Sequence, residues 1–324
     1  MPRPVARIVF LDRDTVAPQI ALPIPGFPHI WENHARTAPD QTAARLAGAS
    51  VAITNKVRIG PAELDAAPDL RLIAVAATGY DCVDVAACAA RGVAVTNIRG
   101  YSVNTVPEHV FTLLLALRRS LVPYVTDTRD GAWQRAGQFC FFDHPIRDLA
   151  GATMGIVGMG GIGRRVADLA RAFGMAVIVA ARPGAPSGDG RVAFEDFCAR
   201  ADVISLHCPL TDATRGLLGA EAFAAMTRAP IILNTARGAL IDLPALAMAL
   251  DAGQVSGAGI DVADREPPDA DDILMRLADH PRVLVTPHVA WASDAAQQAL
   301  SDQLGDVLEA FDAGAPINLV TPAG

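Results

Sequence analysis

Residues 153–182 read TMGIVGMGGIGRRVADLARAFGMAVIVAAR, and this stretch decides the fold. Met154 to Val157 is an apolar run the length of a buried strand. Glycines at 158, 160 and 163 follow in the spacing G-x-G-x-x-G. Ile162, Val166, Leu169, Ala170 and Phe173 then recur at spacings of three and four, the period of a helix. Gly174 stands where a helix C-terminus takes a left-handed residue. A second apolar run, Ala176 to Ala180, closes the unit. Strand, glycine turn, helix and strand is the βαβ order of a dinucleotide site.

Gly158 allows the tight turn out of the strand, Gly160 lets the backbone approach a pyrophosphate, and Gly163 lets the helix pack close to the sheet. The first amides of the helix, Gly161 and Ile162 among them, then face the phosphates at the positive end of the helix dipole. A lone G-x-G-x-x-G also arises in tight strand–helix turns that bind nothing. The flanking strands and helix in register favour the nucleotide. Position 181, eighteen residues after Gly163, is where an NAD site carries an acid for the ribose hydroxyls. Here it is Ala181, followed by Arg182. No carboxylate is there to repel a 2′-phosphate and a guanidinium is there to pair with one, so NADP(H) is favoured over NAD(H). Alternatively, Arg182 is a solvated surface cation and the site takes either cofactor.

A chain of 324 residues, 51% of them hydrophobic, suggests two domains with sizeable cores. A net charge of −8 without a basic block argues against nucleic acid as a partner. No apolar run has the length of a membrane span. The N-terminus, MPRPVARIVFLDRD, runs straight into a strand pattern without the apolar core of a signal peptide. The five cysteines, at 82, 88, 140, 198 and 208, form no C-x-x-C pair; an odd, scattered set suggests reduced thiols in a cytoplasm. No metal-ligand set is assigned.

Before the glycine unit, Ala6 to Leu11, Val51 to Thr54, Leu72 to Ala76 and Val93 to Thr96 read as strands. Helical patterns lie at Pro39 to Leu46, Pro61 to Ala67 and Val83 to Arg91, and Pro18 to Asn33 reads as a surface loop. This alternation implies a small doubly wound parallel domain. Ala77-Thr78-Gly79-Tyr80-Asp81 follows the third strand, at the end of a parallel sheet where ligands bind; the plainer alternative is a loop with Asp81 as helix N-cap. The segment NIRGYSVNTVPEH, 97–109, leads into a helix, Glu108 to Arg118, apolar nearly all round and so expected to be buried, with Asn104 or Thr105 as cap. Trp133 and Phe139-Cys140-Phe141-Phe142 suggest a subunit contact rather than a cofactor role. After the glycine unit, strands are expected at Val203 to Leu206, Ile231 to Asn234, Gly257 to Val262 and Val283 to Thr286. Helices are expected at Phe194 to Ala199 and Leu243 to Ala252. Each strand ends in polar groups on the carboxyl side, the convergence a site needs.

GMGGIG at 158–163, LHCPLT at 206–211, NTARG at 234–238, the acid in DVADREPP at 261–268 and TPH at 286–288 occur in this order. With them the chain resembles, over essentially its whole length, the D-isomer-specific 2-hydroxyacid dehydrogenases. TNIRGYSVNTVPEHVF, FCFFDHP and PHVAW are most similar to the glycerate dehydrogenase, or hydroxypyruvate reductase, branch. The resemblance implies two doubly wound parallel α/β domains. A flavodoxin-like substrate domain, residues 1–100 plus 291–324, would receive an inserted Rossmann cofactor domain, 101–290; a helix at Ala295 to Phe311 would cross back to the first. It implies a homodimer and a small 2-oxo or 2-hydroxy acid as substrate.

The resemblance also implies roles. Arg237 would grip the substrate carboxylate and polarise its carbonyl, His288 would be the general acid/base, and Glu266 would hydrogen-bond that histidine. The loop at Thr78, with the amides of Gly79 and Tyr80, would hold the carboxylate. Asp261 would contact the nicotinamide end, and His207, Cys208 and Pro209 would line the adenosine side. Thr105, Gly158, Gly160, Gly161, Ile162, Gly163, Ala181, Arg182, Thr214, Thr235, Ala236, Arg237, His288 and Ala290 complete the expected cofactor contacts. The chemistry demands such a set. Hydride arriving at a 2-oxo acid leaves negative charge on oxygen, and a histidine beside a carboxylate can supply the proton near neutral pH. Taken singly, Arg237 would be a surface or helix-start cation, His288 a satisfied structural histidine and Glu266 a loop charge. Trp291, where the wider family has smaller residues, either shapes the substrate pocket or packs beneath it. Formate dehydrogenases resemble this chain but carry glutamine at the position of Glu266. Dinucleotide-sensing corepressors share the fold but need further tails.

Overall fold

The computed structural model describes residues 5–322. The chain forms two compact units, Met1–Ser102 with Ala292–Gly324, and Val103–Trp291. In chain order the first contains β1 (Ala6–Phe10), β2 (His29–Asn33), α1 (Pro39–Leu46), β3 (Val51–Thr54), α2 (Pro61–Asp65), β4 (Leu72–Val75), α3 (Val85–Ala90) and β5 (Ala94–Asn97). All pairs in its sheet are parallel, in the order β2-β1-β3-β4-β5, the flavodoxin-like arrangement. β3 and β4 are buried at every residue, which is why they read as unbroken apolar runs.

The second unit contains α4 (Thr105–Arg118), α5 (Leu121–Arg129), α6 (Ala132–Ala136), β6 (Thr153–Val157), α7 (Gly161–Ala172), β7 (Ala176–Val179), α8 (Phe194–Arg200) and β8 (Val203–Leu206). It continues with α9 (Ala220–Ala224), β9 (Ile231–Asn234), α10 (Leu243–Asp251), β10 (Gly257–Ile260), α11 (Ile273–Ala278) and β11 (Val283–Val285). The six parallel strands lie in the order β11-β10-β9-β8-β6-β7. One core packs α4 and α7 on one face through Val110, Leu114, Val166 and Ala170; the other gathers Phe197, Phe223, Leu246 and Leu250. α12 (Asp294–Asp312) returns to the first unit, where it packs on β4.

Four expectations need correction. The last five residues of the Pro18–Asn33 loop form β2, an edge strand that pairs with β1 and buries no residue fully, so it has no apolar run to betray it. Asp84, not Asp81, caps α3, accepting the Ala87 amide at 2.8 Å. Neither Asn104 nor Thr105 caps α4; the Thr105 hydroxyl donates instead to Ala290 C=O at 3.3 Å. α4 is buried along one face, at Val106, Val110, Phe111, Leu113 and Leu114, while Glu108 and Thr112 are exposed.

Candidate active site

In the second unit the chain leaves β6 for β7 on one side and returns to β8 on the other. The carboxyl ends of β6 and β8 therefore part at a switch point, where open α/β sheets bind ligands. Gly158 sits there at φ 98°, and a Cβ on it would stand 2.7 Å from the backbone of His207 and Cys208. The turns after β6 and β8 thus touch through a glycine. A Cβ on Gly163 would lie 2.0 Å from Gly158 O, so the helix approaches the turn as closely as backbone allows. Gly160 and Gly161 differ. Gly160 has φ −70°, and nothing lies within 4 Å of a Cβ on either. The chain itself needs no glycine at these two positions. Their bareness keeps space open over the first turn of α7, and that space fits a pyrophosphate on the helix amides.

The matching point of the other sheet, between β1 and β3, is filled. Asp12 is buried there and accepts the amides of Asn55 at 2.9 Å, Lys56 at 2.7 Å and Val57 at 3.3 Å. Burial raises its carboxyl pKa, against the lowering by the Lys56, Asn55 and Val57 amides. Of the two doubly wound sheets, the second is the one that leaves its switch point to a ligand.

Around that point, Ala181 is buried and Arg182 exposed, at the end of β7. His207 Nε2 is 2.8 Å from Ser205 Oγ, and burial pushes its imidazole pKa down to about 4. A neutral His207 brings no cation to a phosphate. Burial also raises the thiol of Cys208. Thr214 closes the loop after β8, donating to Pro209 C=O at 2.8 Å and accepting the Thr211 amide at 2.8 Å. The Thr235 hydroxyl, past β9, is buried with no partner in the chain, a polar atom left for a ligand to satisfy.

Asn234, fully buried, accepts the Ala236 amide at 3.1 Å and donates to Arg237 C=O at 2.8 Å. This pair of bonds shapes the turn that carries Thr235, Ala236 and Arg237. The Arg237 Nη1 donates to Ala236 C=O at 2.8 Å. A Cβ on Gly238 would lie 2.2 Å from the Ala263 carbonyl carbon, so the arginine turn rests backbone-on-backbone against the segment leading to Glu266. Asn234 and Gly238 were readable only as parts of NTARG. Their positioning work follows from contacts that a pattern does not display.

His288 Nδ1 and Glu266 Oε2 are 2.7 Å apart, with side chains 25% and 32% exposed. The other oxygen, Glu266 Oε1, accepts the Ala263 amide at 3.1 Å. A carboxylate only accepts, so His288 Nδ1 carries a proton and Nε2 is the nitrogen left to exchange one. The backbone of His288 is left-handed, at φ 55°, which costs a non-glycine residue roughly 1–2 kcal/mol.

Asp261, expected at the nicotinamide end, is 1% exposed and turns both oxygens on the chain's own donors. It accepts Thr286 Oγ1 at 2.5 Å and the amides of Val289 and Ala290 at 3.0 and 2.9 Å. Trp291 is half-buried against the α4–α7 core. In the first unit the loop after β4 is fixed at Thr78: its hydroxyl donates to Ile98 C=O at 2.9 Å and its carbonyl accepts Asn97 Nδ2 at 2.8 Å. Among the described residues, the following amides, Gly79 and Tyr80, meet no chain acceptor. All five cysteines are free thiols, and no described helix is long and apolar enough to cross a membrane.

A family model described as D-isomer specific 2-hydroxyacid dehydrogenase, NAD binding domain, matches residues 111–290. A glycerate dehydrogenase of Methylorubrum extorquens is 48% identical over 315 residues, 97% of this chain and 98% of that one. Among solved structures, a protein of Thermus thermophilus is 34% identical with a TM-score of 0.83, covering 97% of this chain and all of its own. An NADPH-dependent glyoxylate/hydroxypyruvate reductase of Sinorhizobium meliloti, solved with NADP and malonate, is 28% identical with a TM-score of 0.80, covering 98% and 97%. The chain belongs to the D-isomer-specific 2-hydroxyacid dehydrogenases, NAD(P)-dependent oxidoreductases acting on CH–OH groups.

Proposed function

We propose that the protein reduces a small 2-oxo acid, hydroxypyruvate or glyoxylate, to the D-2-hydroxy acid with NADPH as the preferred donor. The reading rests most on the 2.7 Å pair of His288 and Glu266. When bound, the nicotinamide cofactor supplies the hydride. As the carbonyl carbon gains hydride, its oxygen gains charge, and His288 gives that oxygen the proton it held at Nε2. The imidazolium becomes neutral and the alcohol is complete. Glu266 holds the ring by Nδ1, which leaves Nε2 as the nitrogen that exchanges the proton. Arg237 pairs with the substrate carboxylate and steadies the charge on the carbonyl oxygen. The amides of Gly79 and Tyr80, in the first unit, are assigned to substrate binding. The names of the glycerate dehydrogenase and of the glyoxylate/hydroxypyruvate reductase above support this substrate class. Glu266 speaks against formate, whose oxidation leaves no alcohol proton to handle.

The test is direct. Purified protein with NADPH or NADH is offered hydroxypyruvate, glyoxylate or pyruvate, and separately formate with the oxidised cofactor, while absorbance is followed. Turnover of hydroxypyruvate or glyoxylate is expected; silence with every 2-oxo acid would defeat the proposal. NADPH preference is assigned to the missing acid at Ala181 and to Arg182. Arg182→Ala is therefore expected to weaken NADPH binding about tenfold, the worth of one exposed charge-assisted bond, and NADH much less. Equal losses for both cofactors would remove the preference.

Self-association is assigned to the α5–α6 face. Leu121, Val122, Trp133, Phe139, Phe142 and Ile146 are exposed there, Phe139 by 88%. The segment after α6, which carries Phe139, Phe142 and Ile146, is pinned to α5, with His144 Nε2 2.6 Å from Asp127 and Tyr124 OH donating to His144 C=O at 2.8 Å. So much ordered apolar surface calls for a partner. Sedimentation velocity is expected to give a particle of two chains; a monomer at micromolar concentration would refute the assignment.

A further inference from the structure

We propose that His109, a second histidine of the cofactor-binding unit, is a positioning residue for the reaction: through Thr286 and Asp261 it holds the backbone that carries His288. The inference rests on the role assigned to His288 above.

His109 lies in the second turn of α4, with its side chain 19% exposed. Its Nε2 is 3.0 Å from Thr286 Oγ1. Thr286 has one hydroxyl proton, and its oxygen is 2.5 Å from Asp261 Oδ1. A carboxylate accepts and cannot donate, so that proton goes to Asp261. The threonine oxygen is then an acceptor towards His109, whose Nε2 must carry hydrogen. The direct separation of His109 Nε2 and Asp261 Oδ1 is 3.6 Å, so the hydroxyl is the shorter link.

The same carboxylate accepts the amides of Val289 and Ala290. Asp261 thus binds the chain on both sides of His288, at Thr286 before it and at Val289 after it. His288 is the residue held left-handed in between. A backbone conformation that its own residue disfavours persists only where its surroundings over-determine it. The Thr286 amide adds a bond to Ile260 C=O at 2.9 Å.

α4 reaches this segment twice. Thr105 and His109 are four residues apart, on one face of the helix. Thr105 Oγ1 donates to Ala290 C=O, and His109 acts through Thr286. The neighbouring apolar residues of α4, Val106, Val110 and Leu113, are in the core. The helix is a rigid base, and His109 is its polar link to the segment bearing the catalytic imidazole. Loss of the Nε2 donor frees the Thr286 hydroxyl to turn, loosens Asp261, and lets His288 leave its position.

Four variants test this. His109→Leu and Thr286→Val remove a donor at similar size. His109→Gln and Thr286→Ser keep a polar hydrogen near the same place. Two readings are taken on each: steady-state kinetics, and hydrogen exchange at the Val289 and Ala290 amides, which needs no substrate. His109→Leu and Thr286→Val are expected to speed exchange at both amides and to lower kcat about 10- to 100-fold, the scale of a small misplacement of a reacting group. Cofactor affinity should stay unchanged, and His109→Gln and Thr286→Ser should recover most of both readings. Wild-type exchange in folded His109→Leu would overturn the inference, as would a Gln variant as impaired as the Leu variant. Faster exchange alongside a wild-type protein that turns over no 2-oxo acid would uphold the clamp and remove the reaction proposed above.

Discussion

His288→Ala is expected to lower kcat for 2-oxo acid reduction by about a thousandfold, within the range a positioned acid contributes, and to leave NADPH binding intact. The two effects separate because they rest on different parts of the second unit. The proposed cofactor site is the glycine turn after β6, where Gly158 and Gly163 fill their space with backbone and Gly160 and Gly161 leave theirs open. The proposed proton donor is the His288–Glu266 pair, with His288 past β11. A variant with native kcat would show that another group donates the proton. Tryptophan fluorescence titration with NADPH reports binding independently.

The second large effect concerns Arg237. Arg237→Gln is expected to lower kcat/KM for hydroxypyruvate by about a hundred- to a thousandfold, the scale of removing one preorganised donor from a developing oxyanion. Arg237→Lys should recover only part of that loss, because an ammonium keeps the charge without the planar fork that matches a carboxylate. The turn bearing Arg237 is held by Asn234 and by the Gly238 contact, not by the guanidinium alone. The Gln variant should therefore keep its melting temperature, which separates lost chemistry from lost fold. A Lys variant as active as the native protein would mean that only net charge matters at this position.

Much of this architecture is legible in the sequence because its sheets are parallel and covered. β3, β8 and β9 are buried at all four residues, so VAIT, VISL and IILN stand out as apolar runs with the bounds that the fold displays. β2 does not, since HIWEN lies at a sheet edge, half open. α5, α6, α9 and α11 escaped for a related reason: they are short or, in α5, bury no residue, so no helical stripe marks them. At the site, Arg237 and His288 follow apolar strands, where polar groups are conspicuous, but their roles, and Glu266 altogether, are legible only through the resemblance of NTARG, DVADREPP and TPH to the family's motifs. Their supporting contacts are not legible. Asp261 meets amides 28 and 29 residues further on, and His109 meets Thr286 across 177 residues. No local pattern records such pairings, and Asp261 read by its motif alone points to a ligand rather than to Val289 and Ala290.

In the proposed reaction, hydride passes to the carbonyl carbon of a 2-oxo acid while His288 protonates the oxygen. Reduction of hydroxypyruvate with NADPH deuterated at the transferred position of the nicotinamide tests it most directly. The product should be D-glycerate bearing a single deuterium on its hydroxyl-bearing carbon next to the carboxylate. L-glycerate, or D-glycerate without the label, would contradict the account.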